Sequence, residues 1–305
     1  MKSEVILGDS LEVLKTIPDN SVNCCVTSPP YFGLRDYGME GQAGLEETPE
    51  LYISKMTELF NEIWRVLKDD GTVWLNIGDS YAGSGKGGQS EKVISIERKE
   101  SRGEYKNKGA LYGLKPKDLI GIPWMLAFSL RDAGWYLRQD IIWSKPNPMP
   151  ESVTDRCTKA HEYIFLLSKS AKYYYDNEAI KPICKTFDNG IRDRDNSKLN
   201  NTPGRTRMAG LVTNDYERAN KRSVWTVTTK PYKEAHFATF PEELIVDCIK
   251  AGCPEGGTVL DPFFGAGTTG LVAKKLGRNY IGIELNPKYV EIAERRINKE
   301  IGLFL

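Results

Sequence analysis

Val259-Leu260-Asp261-Pro262-Phe263-Phe264-Gly265-Ala266-Gly267-Thr268-Thr269-Gly270 carries an apolar strand into a glycine turn and out into the start of a helix. Gly265 and Gly267 let backbone amides approach a ligand without a Cβ in the way, and the following helix presents its N-terminus to the same place. Further on, the apolar run Tyr280 to Ile283 ends at Glu284, the position where an acid grips ribose hydroxyls in nucleotide-binding α/β folds. A glycine turn alone is a common structural feature; the acid at the next strand end turns it into a candidate nucleotide site. There is no G-K-[ST] for a triphosphate, and the expectation is that the turn lacks the third-glycine spacing of a G-x-G-x-x-G dinucleotide site. The reading is an adenosine ligand without phosphates, with Glu284 on its ribose.

Near the other end of the chain, Val26-Thr27-Ser28-Pro29-Pro30-Tyr31 closes a second apolar run. Two adjacent prolines fix the backbone, so the Ser28 side-chain oxygen and the Pro29 carbonyl can both face one pocket as a pair of acceptors. The exocyclic amino group of cytosine or adenine carries two N–H donors and a lone pair delocalised into the ring. Holding both hydrogens out of the ring plane localises that pair on nitrogen, where it can attack a methyl group. Tyr31 would stack on the base. By itself the segment is equally a rigid strand-to-loop turn.

Along the whole chain, strands alternate with helices. Glu4 to Leu7, Val22 to Val26, Thr72 to Ile77, Gln139 to Trp143, Tyr163 to Leu167, Thr258 to Leu260 and Tyr280 to Ile283 read as strands. Leu11 to Ile17, Pro49 to Leu67, Pro116 to Ala133, Pro241 to Ala251, Thr268 to Leu276 and Lys288 to Ile301 read as helices. The clearest is Pro49 to Leu67, in which Ile53, Met56, Phe60, Ile63 and Leu67 recur at three and four residues along one face. Such alternation implies a doubly wound, mostly parallel sheet covered on both faces.

Composition narrows the class. Of 305 residues, 40% are apolar and 27% charged, a balance of globular chains. No apolar run approaches a bilayer span and Met1 to Leu14 lacks the features of a signal peptide, so the expected location is the cytoplasm with no membrane contact. Cys24, Cys25, Cys157, Cys184, Cys248 and Cys253 form no C-x-x-C pair, and His161 and His236 are the only histidines, so no metal site is expected. Net charge is only +1, but the excess is local: Glu97 to Lys117 carries +4 and Lys181 to Arg222 carries +5. Both stretches are irregular and read either as solvated loops or as loops that track phosphates.

The two motifs, in this order, resemble the DNA amino-methyltransferases whose catalytic tetrapeptide precedes the cofactor loop, the β class, over nearly the whole chain. The resemblance implies S-adenosylmethionine as cofactor and duplex DNA as partner. It also implies a Rossmann-like, seven-stranded α/β sheet with one reversed hairpin and a circularly permuted motif order, in a single catalytic domain spanning 1–305. Ser28, Pro29, Pro30 and Tyr31 match the catalytic motif. Cofactor contact carries over to Asp261, Pro262, Phe263, Gly265, Gly267, Thr268 and Thr269 of the loop, with Asp261 near the amino-acid end. It carries over as well to Asp9 and Ser10 of the segment that meets the adenine amine, to Phe240 within His236 to Leu244, and to Glu284.

Trp143-Ser144-Lys145-Pro146 resembles the wall of a flipped-base pocket, which makes Lys145 a substrate contact. Insertions at about 83–115 and about 183–224 would contact DNA, with Arg192, Arg194, Arg205 and Arg207 as candidates for guanine or phosphate. In this family Ser at position 28 goes with N4 of cytosine, whereas Asp or Asn there goes with N6 of adenine. Adenine stays open because both bases present the same amino group. Methylation at ring carbon would need a cysteine nucleophile, and Cys24 and Cys25 lie in a strand as core. RNA or small-molecule transfer and a non-catalytic cofactor-binding subunit are further alternatives. The chain would act as monomer or homodimer, beside a separate cognate restriction endonuclease.

Overall fold

The computed structural model describes residues 3–34, 38–39, 41–82, 114–183, 218–229 and 240–302. The strands are β1 (Glu4–Leu7), β2 (Val22–Thr27), β3 (Leu67–Ile77), β4 (Tyr136–Ser144), β5 (His161–Ser168), β6 (Val224–Thr226), β7 (Thr258–Asp261) and β8 (Asn279–Glu284). The helices are α1 (Ser10–Thr16), α2 (Pro49–Val66), α3 (Ile122–Asp132), α4 (Glu242–Gly252), α5 (Thr268–Lys275) and α6 (Pro287–Gly302).

Among the described residues these strands form one sheet in the order β1-β8-β7-β2-β3-β5-β4-β6. Only β5 runs against the rest, pairing antiparallel with both β3 and β4. The expected reversed hairpin is therefore β4 and β5. The expected count of seven strands is corrected to eight, because Val224–Thr226 adds a parallel edge strand to β4. Its three residues follow Lys221-Arg222-Ser223 and are too few to show a period of two. Trp225 holds the strand in place: it is buried, and its indole donates to the Arg222 carbonyl at 2.8 Å.

Adjacent side chains on a strand point to opposite faces, and the core divides accordingly. Cys25, Val73, Leu75, Leu260, Ile281 and Ile283 pack with α1, α2 and α3 on one face. Cys24, Val26, Trp74, Val259 and Tyr280 pack with α4, α5 and α6 on the other. Both neighbouring cysteines are thus core, and burial pushes both thiols well up, which leaves neither as a thiolate nucleophile. Helix α2 buries the stripe read from its spacing, with Ile53, Met56, Phe60 and Ile63 all inside. Thr48 caps it, accepting from the Leu51 amide at 3.2 Å.

Helix α3 begins at Ile122 and not at Pro116. Lys117 has φ 76° and Gly121 φ 87°, conformations that a helix cannot contain. The first turn is capped from a distance, by the Asp79 carboxylate beyond the end of β3, which accepts from the amides of Gly121 at 3.0 Å and Ile122 at 3.2 Å. The ends flanking 83–113 meet in a bridge between Tyr81 and Leu119, and those flanking 184–217 in a bridge between Ile183 and Arg218. Arg192, Arg194, Arg205, Arg207 and His236, with most of both insertions, lie outside the described residues. Among the described residues no helix is long and apolar enough to cross a membrane.

The glycine turn is seated on the ring of Phe264, which stacks on Tyr280 at 5.6 Å. A Cβ at Gly282 would stand 2.4 Å from that ring. Gly282→Ala should therefore cost about 1–3 kcal/mol through overpacking, read as a lower urea midpoint with an unchanged slope. An unaltered midpoint would mean that Phe264 is not held as described.

Candidate active site

In an open α/β sheet the ligand crevice lies at the carboxyl ends of the strands, where successive connections leave in opposite directions. Here that point falls between β7 and β2: from β7 the chain moves outward to β8, and from β2 it moves the other way to β3. The glycine turn follows β7 and the serine-proline corner follows β2, so the two motifs meet at the crevice although they stand near opposite ends of the sequence. They are joined directly. The Thr27 hydroxyl donates to Asp261 Oδ1 at 2.7 Å, the Thr269 hydroxyl to Asp261 Oδ2 at 2.6 Å, and the Phe263 amide to Oδ1 at 3.1 Å.

The turn itself is tied at both sides. Glu284 Oε2 accepts from the Gly265 amide and Oε1 from the Asn286 amide, each at 2.8 Å. A carboxylate oxygen has two lone pairs, so each oxygen keeps capacity for a further donor such as a ribose hydroxyl. Burial raises the Glu284 carboxyl above its ordinary range, with the amides of Asn286, Gly265 and Leu285 opposing. The Ser10 hydroxyl donates to the Pro262 carbonyl at 2.5 Å, and the Asp9 carboxylate caps α1 by accepting from the Leu11 amide at 2.9 Å. Phe240 is half-buried ahead of α4, against the core on that face.

Three glycines of the turn have different duties. Gly265, Gly267 and Gly270 do fall at the G-x-G-x-x-G spacing, so the expectation against a dinucleotide has no support in the spacing itself. A Cβ at Gly267 would lie 2.8 Å from Ala293 of α6, and one at Gly270 2.5 Å from Phe264, so both are packing positions. At Gly265, with φ 52°, a Cβ would meet nothing within 4 Å among the described residues, which leaves this position open to a ligand. Thr268 is buried and its hydroxyl accepts from Arg296 at 3.0 Å, which fastens the start of α5 to α6.

At the corner, Ser28 is half-buried and Pro29 buried. The Pro30 carbonyl is occupied by the Tyr52 hydroxyl at 2.9 Å, and among the described residues the Pro29 carbonyl carries no such bond. The Tyr31 hydroxyl donates to Glu162 at 2.7 Å and lies 3.3 Å from the Asn76 side-chain oxygen. Lys145 pairs with the other oxygen of Glu162 and lies 4.2 Å over the Trp143 ring. Sequence reasoning identifies Tyr31 and Lys145 but not Glu162 or Asn76, which link them. The one available signal is an acid next to His161 at the start of a strand otherwise apolar.

Burial pushes the Asp261 carboxyl up to about 6 despite bonds from Thr269, Thr27 and Phe263 that favour its charged form. An acid raised in the folded state is protonated there first, so its ionisation costs stability above about 6. That cost is relieved as pH falls toward its ordinary value of 3.8. Asp261→Asn cannot titrate. Urea unfolding from pH 7 to 4 should therefore show wild type gaining on the variant by roughly 1–3 kcal/mol as pH falls; a wild type that stays level with the variant or loses ground to it would place the shift elsewhere.

The chain matches the N6/N4 methyltransferase family, described as DNA methylase, over residues 22–295. It is 47% identical over 293 residues to the Type II methyltransferase M.Cfr9I of Citrobacter freundii, covering 96% of this chain and 87% of that protein. Among solved structures it shares its fold with PvuII DNA methyltransferase (cytosine-N4-specific), at a TM-score of 0.65 and 19% identity, covering 97% of this chain and 86% of the other. It also shares it with TTHA0409 of Thermus thermophilus complexed with S-adenosyl-L-methionine, at 0.61 and 22%, covering 98% and 94%. A match across most of the chain, with a relative 47% identical and covered over 87% of its own length, makes this protein a member of the DNA methylase family of N6/N4 methyltransferases.

Proposed function

We propose that this chain transfers the methyl group of S-adenosylmethionine to the N4 amino group of cytosine in duplex DNA, with the base turned out of the helix. The reading rests on one observation above all, the Thr27–Asp261 hydrogen bond that unites the serine-proline corner with the glycine turn. The residues present suit this cofactor: Gly265 leaves open space above the turn, and Glu284 beside it has lone pairs to spare for two ribose hydroxyls. TTHA0409, of the same fold, is complexed with that molecule. When bound, it supplies a methyl group on a positively charged sulfur.

The chain's own residues do the rest by alignment. The Ser28 oxygen and the Pro29 carbonyl accept the two amino hydrogens and turn the nitrogen lone pair out of the ring plane. Tyr31 stacks on the base and sets its depth. As the nitrogen–carbon bond would form, the carbon–sulfur bond would break and leave a neutral thioether, so positive charge would pass to the amine beside these two acceptors, where their stabilisation is greatest. The surplus proton then leaves to water. Cytosine is preferred over adenine because Ser stands at position 28, and PvuII DNA methyltransferase, which shares the fold, is cytosine-N4-specific.

The whole chain would serve as one catalytic domain, in the cytoplasm, as monomer or homodimer. The segments about 83–115 and 183–224, with Arg192, Arg194, Arg205 and Arg207, would read DNA. A cognate restriction endonuclease acting separately fits the Type II relatives.

Ser28→Ala should lower transfer by at least about a hundredfold, while S-adenosylmethionine binding, measured by calorimetry, stays within about threefold. Undiminished transfer would remove Ser28 from the chemistry. Digestion of methylated duplex DNA to nucleosides and mass analysis should give N4-methylcytosine. N6-methyladenine would reassign the base, and transfer to RNA or free nucleosides in place of duplex DNA would reassign the substrate.

A further inference from the structure

Glu162 has no part in the chemistry described so far, yet it sits at the centre of the corner's polar contacts. It is the second residue of β5, and its side chain is only 15% exposed. Three groups converge on it: the Tyr31 hydroxyl at 2.7 Å, the Asn76 amide at 3.3 Å, and the Lys145 ammonium. Asn76 is in turn fixed by donating to the Tyr163 carbonyl at 3.1 Å. Tyr31 is confined from the side as well, since a Cβ at Gly78 would stand 2.7 Å from the edge of its ring. Burial holds the Tyr31 hydroxyl well above its ordinary range, so it stays protonated and can only donate to the carboxylate.

A tyrosine ring turns about two side-chain bonds, and a base stacked on it follows its plane. Packing at Gly78 limits one side of that motion; a charge-assisted hydrogen bond at the far end of the ring limits the rest. We infer that Glu162 is a positioning residue, whose carboxylate, held by Lys145 and Asn76, sets the plane of the Tyr31 ring on which the target base stacks. This rests on the reading of Tyr31 as the stacking residue. It also gives Lys145 a role distinct from DNA contact, as the partner that holds the other oxygen of the Glu162 side chain in place.

The test is a double-mutant cycle in single-turnover methyl transfer to duplex DNA, with Glu162→Ala, Tyr31→Phe and both together. Each single change should slow transfer about tenfold, with S-adenosylmethionine affinity unchanged. If Glu162 acts through the Tyr31 hydroxyl, the double variant should also be about tenfold slower, because the second change has nothing left to remove. Glu162→Gln, which keeps an acceptor for the hydroxyl and carries the test should Glu162→Ala not fold, should recover to within about threefold of wild type. A DNA carrying 2-aminopurine at the target position should fluoresce more with Tyr31→Phe and with Glu162→Ala than with wild type, as the ring beneath the turned-out base is no longer held in one plane.

A double variant about a hundredfold slower, or a Glu162→Ala enzyme as fast as wild type, would overturn the proposal. Ser28→Ala in the same assay keeps the two ideas apart. Full transfer by that variant defeats the reading of the corner, whereas its loss beside an additive cycle defeats only the role given to Glu162.

Discussion

The hydroxyl of Thr27 donates to the buried carboxylate of Asp261, and the arrangement of the carboxyl edge depends on that bond. Strands β2 and β7 are paired through Cys24 with Val259 and Cys25 with Leu260. Beyond that short ladder the chains part, one toward the corner and the other toward the glycine turn. Thr27 carries the connection one residue further, and Thr269 brings α5 to the same carboxylate. Each such bond to a buried charged group is worth about 1.5–3 kcal/mol, and losing one leaves an acid that water cannot reach.

The same device recurs along the edge. Asp9, Asp79, Asp261 and Glu284 stand at or just beyond the ends of β1, β3, β7 and β8, and each accepts backbone amides from the turn or helix that follows. Strand ends leave amides without ladder partners, and an unpaired buried amide costs about as much as a lost hydrogen bond. A carboxylate answers several of them at once. The cost is desolvation, visible in the raised carboxyls of Asp79, Asp261 and Glu284. The edge is therefore stiff on the protein side and keeps acceptor capacity toward the crevice.

The reversal of β5 has a similar consequence. Had β5 run parallel to its neighbours, its last residues and not its first would lie beside Tyr31. Because it is antiparallel to β3, Tyr163 stands opposite Ile77 and Glu162 falls at the crevice, within reach of the corner. The half-buried pair of Lys145 and Glu162 then comes from adjoining ends of the hairpin, whose backbones are bonded from the Lys145 amide to the Ala160 carbonyl at 2.8 Å.

Sequence alone determined what local chemistry can determine. Periodicity marked the α2 stripe and the buried strands, residue type marked the glycine turn and the serine-proline corner, and alternation of elements implied the two-faced sheet. It missed β6, whose three residues hold no period, and it began α3 too early, because the cap that starts that helix is Asp79 from another part of the chain. Nor could it show that Gly267 needs its missing Cβ for packing, which only the approach of α6 reveals. The role of Glu162 was missed for the same reason. A side chain's role follows from its partners, and in a sheet whose neighbours are distant in sequence the partners are set by topology. Pairing, crossover and reversal alone brought Thr27 to Asp261 and Glu162 to Tyr31.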